Sequence, residues 1–254
     1  MKLELVEDIL ESNQVTDEDG NTYELHSAIS KAEGEFIYSL ILENEIERSI
    51  EIGFAFGISS LYICNALSQK ESQHHVIIDP YQSLPPWHGI GVYNLKKAGF
   101  SFFELVEMPS EIALPELLQR QETFDFAFID GWHTFDHALL DFFYINRLLK
   151  VRGIVVYDDV DYPALKKLIR YISNYQNYEI ICSLQYDRPL RHRIKDKVAI
   201  GISALVKLLP EWYTRPVFSD NVFRPDSSLG LNTSMIALRK TGHDERSWDW
   251  YAPF

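Results

Sequence analysis

The chain has 254 residues, 46% of them hydrophobic and 24% charged, which is enough apolar material for a full core. Its formal net charge is −13. A surface of this sign repels nucleic-acid phosphates and anionic lipid headgroups, so neither nucleic acid nor a membrane is expected as a partner.

Cysteine usage and the N-terminus indicate the compartment. Cys64 and Cys182 lie within apolar segments, which favours buried, reduced thiols over a disulfide. The residues after Met1 lack the apolar core of a secretion signal, and no segment approaches the ~20 apolar residues of a membrane-spanning helix. These features predict a soluble cytoplasmic protein.

Short apolar segments alternate with segments of helical periodicity along most of the chain. A first helix is predicted over residues 28–43. Strands are predicted at 49–52, 76–78, 103–106, 124–129, 153–157, 178–184 and 234–238. Strands that alternate with helices form βαβ units. The sequence therefore predicts an α/β fold, Rossmann-like and doubly wound, with a mainly parallel seven-stranded sheet and helices on both faces.

The clearest helix lies between the fourth and fifth predicted strands. Phe135, Leu139 and Phe142 recur at helical spacing. Thr134 is placed to cap the start of this helix, and Gly153 is placed to end it.

The whole chain, residues 1–254, is predicted to form a single domain. A helical extension occupies about residues 1–45, and a cap-like insertion occupies about residues 186–232, folding over the carboxyl edge of the sheet. The insertion carries basic residues that either meet an anionic group or form a solvated loop: Arg188, Arg191, His192 and Arg193. The aromatic tail Trp248–Tyr251 packs on the core or on a second subunit, which leaves homo-oligomerisation open.

A glycine loop follows the first predicted strand and opens a helix. In the segment Glu51–Ser59, Gly53 and Gly57 are four positions apart, so the loop lacks the third glycine of the dinucleotide fingerprint. It suits a cofactor without a pyrophosphate, or it is a tight turn that requires glycine. Asp79 ends the next strand, where an acid binds ribose hydroxyls in doubly wound folds. A turn or helix-cap aspartate is the alternative.

A second constellation follows the fourth and fifth strands. If these strands are neighbours, Asp130, Asp158 and Asp159 meet at one sheet edge, and like charges so close need a shared proton, a cation or hydrogen-bond donors. Carboxylates suit Mg²⁺ or another divalent cation. Helix capping is the alternative for Asp158 and Asp159. His133, around the first turn after Asp130, is placed to remove a proton from a hydroxyl; His137, one turn later, is more simply a helix-face residue.

These motifs, in this order, resemble those of class I S-adenosylmethionine-dependent methyltransferases over about residues 28–184 and the final strand. The segment from Glu51 to Ser59 resembles their first motif, and Asp79 resembles their ribose-binding acid. The resemblance implies an S-adenosylmethionine site formed by Glu51, Gly53, Gly57, Ser59, Asp79 and Asp130.

The second constellation resembles one branch, the metal-dependent O-methyltransferases that act on sugars of macrolides and related natural products. This implies metal ligation by Asp130, Asp158 and Asp159, catalysis by His133 as base together with Asp130, and a small hydroxylated acceptor. Catechol-type O-methyltransferases, which are more distantly similar, carry lysine at the position of His133 and commonly Asp-Asn at that of Asp158–Asp159. A phenolic acceptor is therefore less expected than a sugar.

Two other function classes remain open at the level of sequence. One is a nicotinamide-dependent oxidoreductase, which the missing third glycine disfavours. The other is a non-catalytic binding or assembly protein that retains the methyltransferase fold; the presence of all four polar residues of the second constellation speaks against it.

Overall fold

The structure, a computed structural model, describes residues 2–184 and 224–253, together with residues 197, 198, 200–202, 210 and 222. Its N-terminal part consists of α1 (Lys2–Ser12), a hairpin of β1 (Gln14–Thr16) and β2 (Thr22–Glu24), and α2 (Lys31–Glu43). The helix predicted from residue 28 begins at Lys31, because Ser30 and Glu33 form a capping box that fixes its start.

The remaining chain alternates between strands and helices. The elements are β3 (Arg48–Ile52), α3 (Ile58–Leu67), β4 (His74–Ile78), α4 (Ile90–Lys97), β5 (Phe103–Val106), α5 (Ser110–Gln119), β6 (Phe124–Ile129), α6 (Phe135–Leu148), β7 (Leu149–Tyr157), α7 (Pro163–Ile172), β8 (Tyr178–Ser183), a 3₁₀ turn (Asp226–Leu229) and β9 (Ile236–Lys240). Each of the seven predicted strands corresponds to one of β3 to β9.

Strands β3 to β9 form one sheet in the order β5-β4-β3-β6-β7-β9-β8. All neighbours pair in parallel except β9, which is antiparallel to both β7 and β8. The predicted α/β fold is confirmed. The strand order reverses between β3 and β6, and open α/β sheets bind ligands at the carboxyl end of such a switch point.

Helices cover both faces of this sheet, so its central strands are buried on both sides. Along β3, Ile50 and Ile52 belong to the core shared with α5, α6 and α7. The intervening Glu51 points to the opposite face, where its carboxylate meets the first turn of α3. This alternation places a polar group inside an apolar layer.

The predicted end of α6 at Gly153 is wrong. The helix ends at Leu148 and the chain passes directly into β7, which contains Gly153. The pairing of β6 with β7 shifts register after Phe124, and Arg152 has φ 75°. A Cβ at Gly153 would lie 2.8 Å from the Leu149 Cγ, so this glycine accommodates a bulged strand. Thr134 is the first residue before α6 as predicted, but its hydroxyl contacts the His137 ring and caps no backbone N–H.

Other predictions concern the periphery. Among the described residues, no helix is long and apolar enough to cross a membrane. Cys64 is buried and Cys182 is partly buried. In the tail, Trp250 packs edge-on against Tyr171 and Tyr175, whereas Trp248 is 98% exposed. Most of the predicted insertion, including Arg188, Arg191, His192 and Arg193, lies outside the described residues.

Candidate active site

A cleft of about 630 Å³ opens at the carboxyl edge of the sheet, where β3, β4, β6 and β7 end. Its volume is typical of a small-molecule site. The predicted site residues that line it are Gly53, Ser59, Asp79, Asp130, His133, Asp158 and Asp159. Glu51 and Gly57 do not line the cleft. The structure thus brings both constellations of the sequence to one cavity.

The glycine loop between β3 and α3 is shaped by close backbone approach. Gly53 has φ 89°, and a Cβ there would lie 2.1 Å from the backbone oxygen of Asp130. Gly57 has φ 76° and immediately precedes α3, so its left-handed conformation starts the helix. The requirement for glycine at position 53 therefore comes from the neighbouring strand, whose loop carries the acidic cluster.

Asp79 fixes this loop through its carboxylate. Oδ2 accepts hydrogen bonds from the backbone N–H groups of Phe54 (3.2 Å) and Ala55 (3.1 Å), and Oδ1 accepts one from Tyr81 (2.9 Å). Asp79 is 5% exposed and lines the cleft. The same carboxylate therefore holds the turn, which was the alternative interpretation, and retains lone pairs on the side of the cleft.

Glu51 belongs to a network that the sequence did not predict. Its Oε1 accepts from the Ser59 hydroxyl, and its Oε2 accepts from the Ser60 hydroxyl and lies 3.1 Å from His75 Nε2. His75 Nδ1 lies 2.8 Å from the Ser49 hydroxyl. Glu51 therefore acts on the cleft through Ser59 and not by direct contact.

The acidic cluster gathers at the ends of β6 and β7. One ligand atom each from Asp130, His133 and Asp159 lies within 4.8 Å of the others. Asp158 is 6% exposed, lines the same cleft, and accepts the backbone N–H of Asp159 at 2.9 Å. Two carboxylates and an imidazole are suitable donors for a divalent cation, so the residues present fit a metal ion.

Burial and mutual repulsion raise the pKa values of these carboxyl groups. Loss of water raises the pKa of Asp130 well above its usual range, and the charges of Asp158 and Asp159 raise it further. Burial also raises the pKa of Asp158 to about 8, with a smaller contribution from Glu33. A cation placed among these groups would relieve both the burial cost and the repulsion.

His133 is partnered on two sides. Its Nε2 lies 3.1 Å from Asp159 Oδ2, and its ring stacks on Tyr162 with 5.3 Å between centroids and 12° between planes. Asp159 itself has φ 52°, a left-handed conformation that aspartate tolerates better than most residues. The ring of His133 is thus oriented by a carboxylate and a phenol at the cleft.

Further cleft residues were not predicted as site residues. Glu33 lines the cleft and accepts hydrogen bonds from the hydroxyls of Ser30 and Ser234. The spacing Ser30-x-x-Glu33 is the sequence signal of a capping box, so this residue could have been found from the sequence. Asp141 also lines the cleft and is 1% exposed, and burial raises its pKa to about 6. His137 lines the cleft and stacks on Trp132 at 5.5 Å.

Comparison with known proteins agrees with this geometry. A sequence model of the family described as "Methyltransferase domain" matches residues 50–160, from β3 to just past β7. No curated protein matches the sequence. The matched segment contains the glycine loop, Asp79 and the acidic cluster.

Solved structures share the fold at low sequence identity. TomG, an O-methyltransferase from Streptomyces achromogenes in complex with SAM, superposes with a TM-score of 0.56 and 19% identity over 71% of this chain and 80% of that one. An O-methyltransferase from Bacillus cereus in complex with SAH gives 0.57 and 16% over 70% and 82%. The methyltransferase PaMTH1 from Podospora anserina, bound to SAH, gives 0.55 and 18% over 73% and 84%.

Residues 50–160 match the methyltransferase domain family, and the described residues share the fold of these solved methyltransferases. Both findings agree with the class that the glycine loop and the acids at the strand ends predict.

Proposed function

We propose that the protein is an S-adenosylmethionine-dependent O-methyltransferase that methylates a small hydroxylated acceptor with the assistance of a divalent cation. One observation carries the proposal: a single cleft at the switch point of the sheet joins the glycine loop and Asp79 to the cluster of Asp130, His133, Asp158 and Asp159. The first group suits a nucleoside cofactor, and the second suits activation of a hydroxyl.

The cofactor side of the cleft is already ordered by the protein. Asp79 holds the loop of Gly53 in place and keeps lone pairs for ribose hydroxyls, while Ser59, from the first turn of α3, lines the same wall. Glu51 and Gly57 support this wall from behind. Asp130 lies where the cofactor side meets the reacting side.

On the reacting side, Asp130, Asp158 and Asp159 would hold the cation. When bound, a divalent cation lowers the pKa of a ligated hydroxyl and orients it. As the acceptor oxygen bonds to the methyl carbon and the carbon–sulfur bond breaks, His133 takes the hydroxyl proton. Asp159 Oδ2, 3.1 Å from Nε2, stabilises the imidazolium that results. Alignment of oxygen, methyl and sulfur supplies much of the acceleration.

The lining of the cleft favours an uncharged, ring-bearing acceptor such as a sugar or another natural product. Aromatic side chains that a ring can stack on are Tyr81, Trp87, Trp132 and Tyr162. Among the described residues that line the cleft, none is lysine or arginine, whereas seven are acidic. This charge disfavours a phosphorylated acceptor.

The test is calorimetric titration of S-adenosylmethionine into the protein, with and without Mg²⁺, repeated on Asp79→Asn. We expect micromolar binding in the wild type and a large loss in the variant, since the amide disturbs both the loop and the ribose acceptor. Asp19→Asn, at an exposed acid that does not line the cleft, is the matched control. Circular dichroism verifies that each variant is folded. Absence of binding in the wild type under both conditions would reject the methyltransferase proposal in favour of a non-catalytic binding protein.

A further inference from the structure

A short segment of the N-terminal extension borders the cleft. Residues 26–29, which we call the strap, lie between the hairpin of β1 and β2 and the start of α2. Ser27, Ala28 and Ile29 of the strap line the cleft. The strap precedes residues 50–160, which match the methyltransferase domain family, so the family match does not account for it.

Both ends of the strap are fixed by hydrogen bonds. Before the strap, the backbone N–H of Leu25 donates to the Asn13 carbonyl at 2.9 Å. After it, the backbone N–H of Ser30 donates to the Glu33 carboxylate at 2.7 Å, in the capping box of α2. Movement of the strap is therefore confined to the residues between these two points.

Between these points, ring contacts hold the strap. Among the described residues, none forms a main-chain hydrogen bond with the backbone of residues 26–29. The His26 ring instead lies edge-on to Phe56 of the glycine loop, with 5.0 Å between centroids, and 5.4 Å from the ring of Trp87. Ser27 has φ 50°, a left-handed conformation that costs free energy in a residue other than glycine. Few backbone hydrogen bonds and local strain are typical of segments that open more readily than the rest of a fold.

His26 joins the strap to the cofactor side of the cleft from the outside. The side chain of His26 is exposed, whereas Phe56 is buried and Trp87 is half-buried and lines the cleft. Removal of the His26 ring therefore frees the strap without taking a side chain from the core. The contacts are made between protein groups alone, so the free energy needed to open the strap is about the same with and without a ligand in the cleft.

We propose that the strap is a gate, closed by the contacts of His26 with Phe56 and Trp87, that opens for the cofactor to enter and for S-adenosylhomocysteine to leave. The inference rests on the proposed function, since it assumes this cofactor. A gate closed by contacts within the protein slows entry and release by the same factor. It therefore changes the rate constants of binding and not the affinity.

The experiment measures the association and dissociation rate constants of S-adenosylhomocysteine by surface plasmon resonance. Each ring contact of this kind is worth roughly a 2- to 12-fold change in an equilibrium constant. We therefore expect His26→Ala to raise both rate constants by about 10-fold while Kd changes by less than about twofold. His26→Phe retains a ring and should bind and release at nearly the wild-type rates. His243→Ala, at an exposed histidine that does not line the cleft, is the control.

The outcomes separate the two proposals. If the wild type does not bind S-adenosylhomocysteine, the proposed function fails and this inference fails with it. If the wild type binds but His26→Ala leaves both rate constants unchanged, the inference alone is overturned. A rise in the dissociation rate constant alone, with a matching loss of affinity, also overturns it, because His26 would then only shape the site. Circular dichroism verifies folding, and His26→Gln, which also lacks the ring, replaces His26→Ala should that variant fail to fold.

Discussion

The carboxylates on the two sides of the cleft have opposite environments. On the cofactor side, Asp79 accepts three backbone N–H groups, and Glu51 accepts two hydroxyls and pairs with His75. On the reacting side, burial and like charges raise the pKa values of Asp130 and Asp158. The carboxylates of the cofactor side have hydrogen-bond donors from the protein, whereas those of the reacting side are crowded by other negative charges.

This difference shows what each side is built to do. Carboxylates with complete sets of donors hold their loops in one conformation before a ligand arrives, which is preorganisation. Crowded carboxylates cost stability, and they need a shared proton, a cation or hydrogen-bond donors. The hydrogen bonds of the cofactor side therefore indicate a rigid cradle, and the crowded acids of the reacting side fit the proposed cation site.

The largest expected effect comes from His133→Gln. Loss of the proton acceptor should reduce kcat by about 10²–10⁴-fold while the affinity for S-adenosylmethionine stays near that of the wild type. Steady-state kinetics and cofactor titration measure the two quantities. Titration of Mn²⁺ in parallel distinguishes a base from a metal ligand at this position. If His133 acts only as a base, the substitution leaves the affinity for Mn²⁺ unchanged; if His133 is a metal ligand, the substitution weakens it.

Tyr162→Phe is the matched control for this variant, because phenylalanine preserves the stack on His133. It should retain nearly all activity. An unchanged kcat in His133→Gln would contradict the role of base and leave the reacting side without its proton acceptor.

Neutralising one acid on each side should change stability in opposite directions. Glu51→Gln disturbs the buried hydrogen bonds that the Glu51 carboxylate makes with Ser59, Ser60 and His75, and it should lower the free energy of unfolding by about 1–3 kcal/mol. Asp130→Asn removes one of several repelling charges and should raise it by roughly 1 kcal/mol in metal-free buffer. Urea unfolding at neutral pH measures both.

Added cation supplies the control for this pair. Mn²⁺ should stabilise the wild type by mass action and should do much less for Asp130→Asn. Equal destabilisation by both substitutions would show that the two sides do not differ, and the contrast between cradle and cation site would be lost.

The sheet could be predicted because its strands are buried on both faces. Such strands give continuous apolar segments, as in residues 126–129 of β6, and the acids at their ends mark the carboxyl edge. The bulge at Gly153 could not be predicted in this way, because a glycine after a helix has the same local signal whether it ends the helix or lies within the next strand. The N-terminal hairpin is too short to give a pattern.

The site shows a similar division between local and non-local information. The glycine loop and the Asp158–Asp159 pair are local signals, so their residues could be named as candidates. The partners of Asp79 and Glu51 depend on tertiary contact and register: His75 faces Ser49 only because β3 and β4 pair in one alignment. A single sequence contains no direct record of that alignment.

Asp141 tests whether burial is enough to raise the pKa of a carboxyl group that lies outside the acidic cluster. It lies on α6, its Oδ1 has no hydrogen-bond partner among the described residues, and burial raises its pKa from 3.8 to about 6. In the unfolded chain the group ionises near pH 4, whereas in the folded protein it stays protonated to about pH 6. The free energy of unfolding should therefore fall as pH rises through this window, by roughly 3 kcal/mol, and not change further above it.

Asp141→Asn cannot ionise, so its stability relative to the wild type should increase between pH 4 and pH 6. Urea unfolding in metal-free buffer across pH 4 to 8 measures this difference, with Glu116→Gln, at an exposed acid on the adjacent α5, as the control. For Asp158→Asn the corresponding window should extend to about pH 8, because the pKa of Asp158 is higher. Parallel pH profiles for Asp141→Asn and the wild type would mean that Asp141 is ionised in the folded state. Raised carboxyl pKa values would then be confined to the acidic cluster.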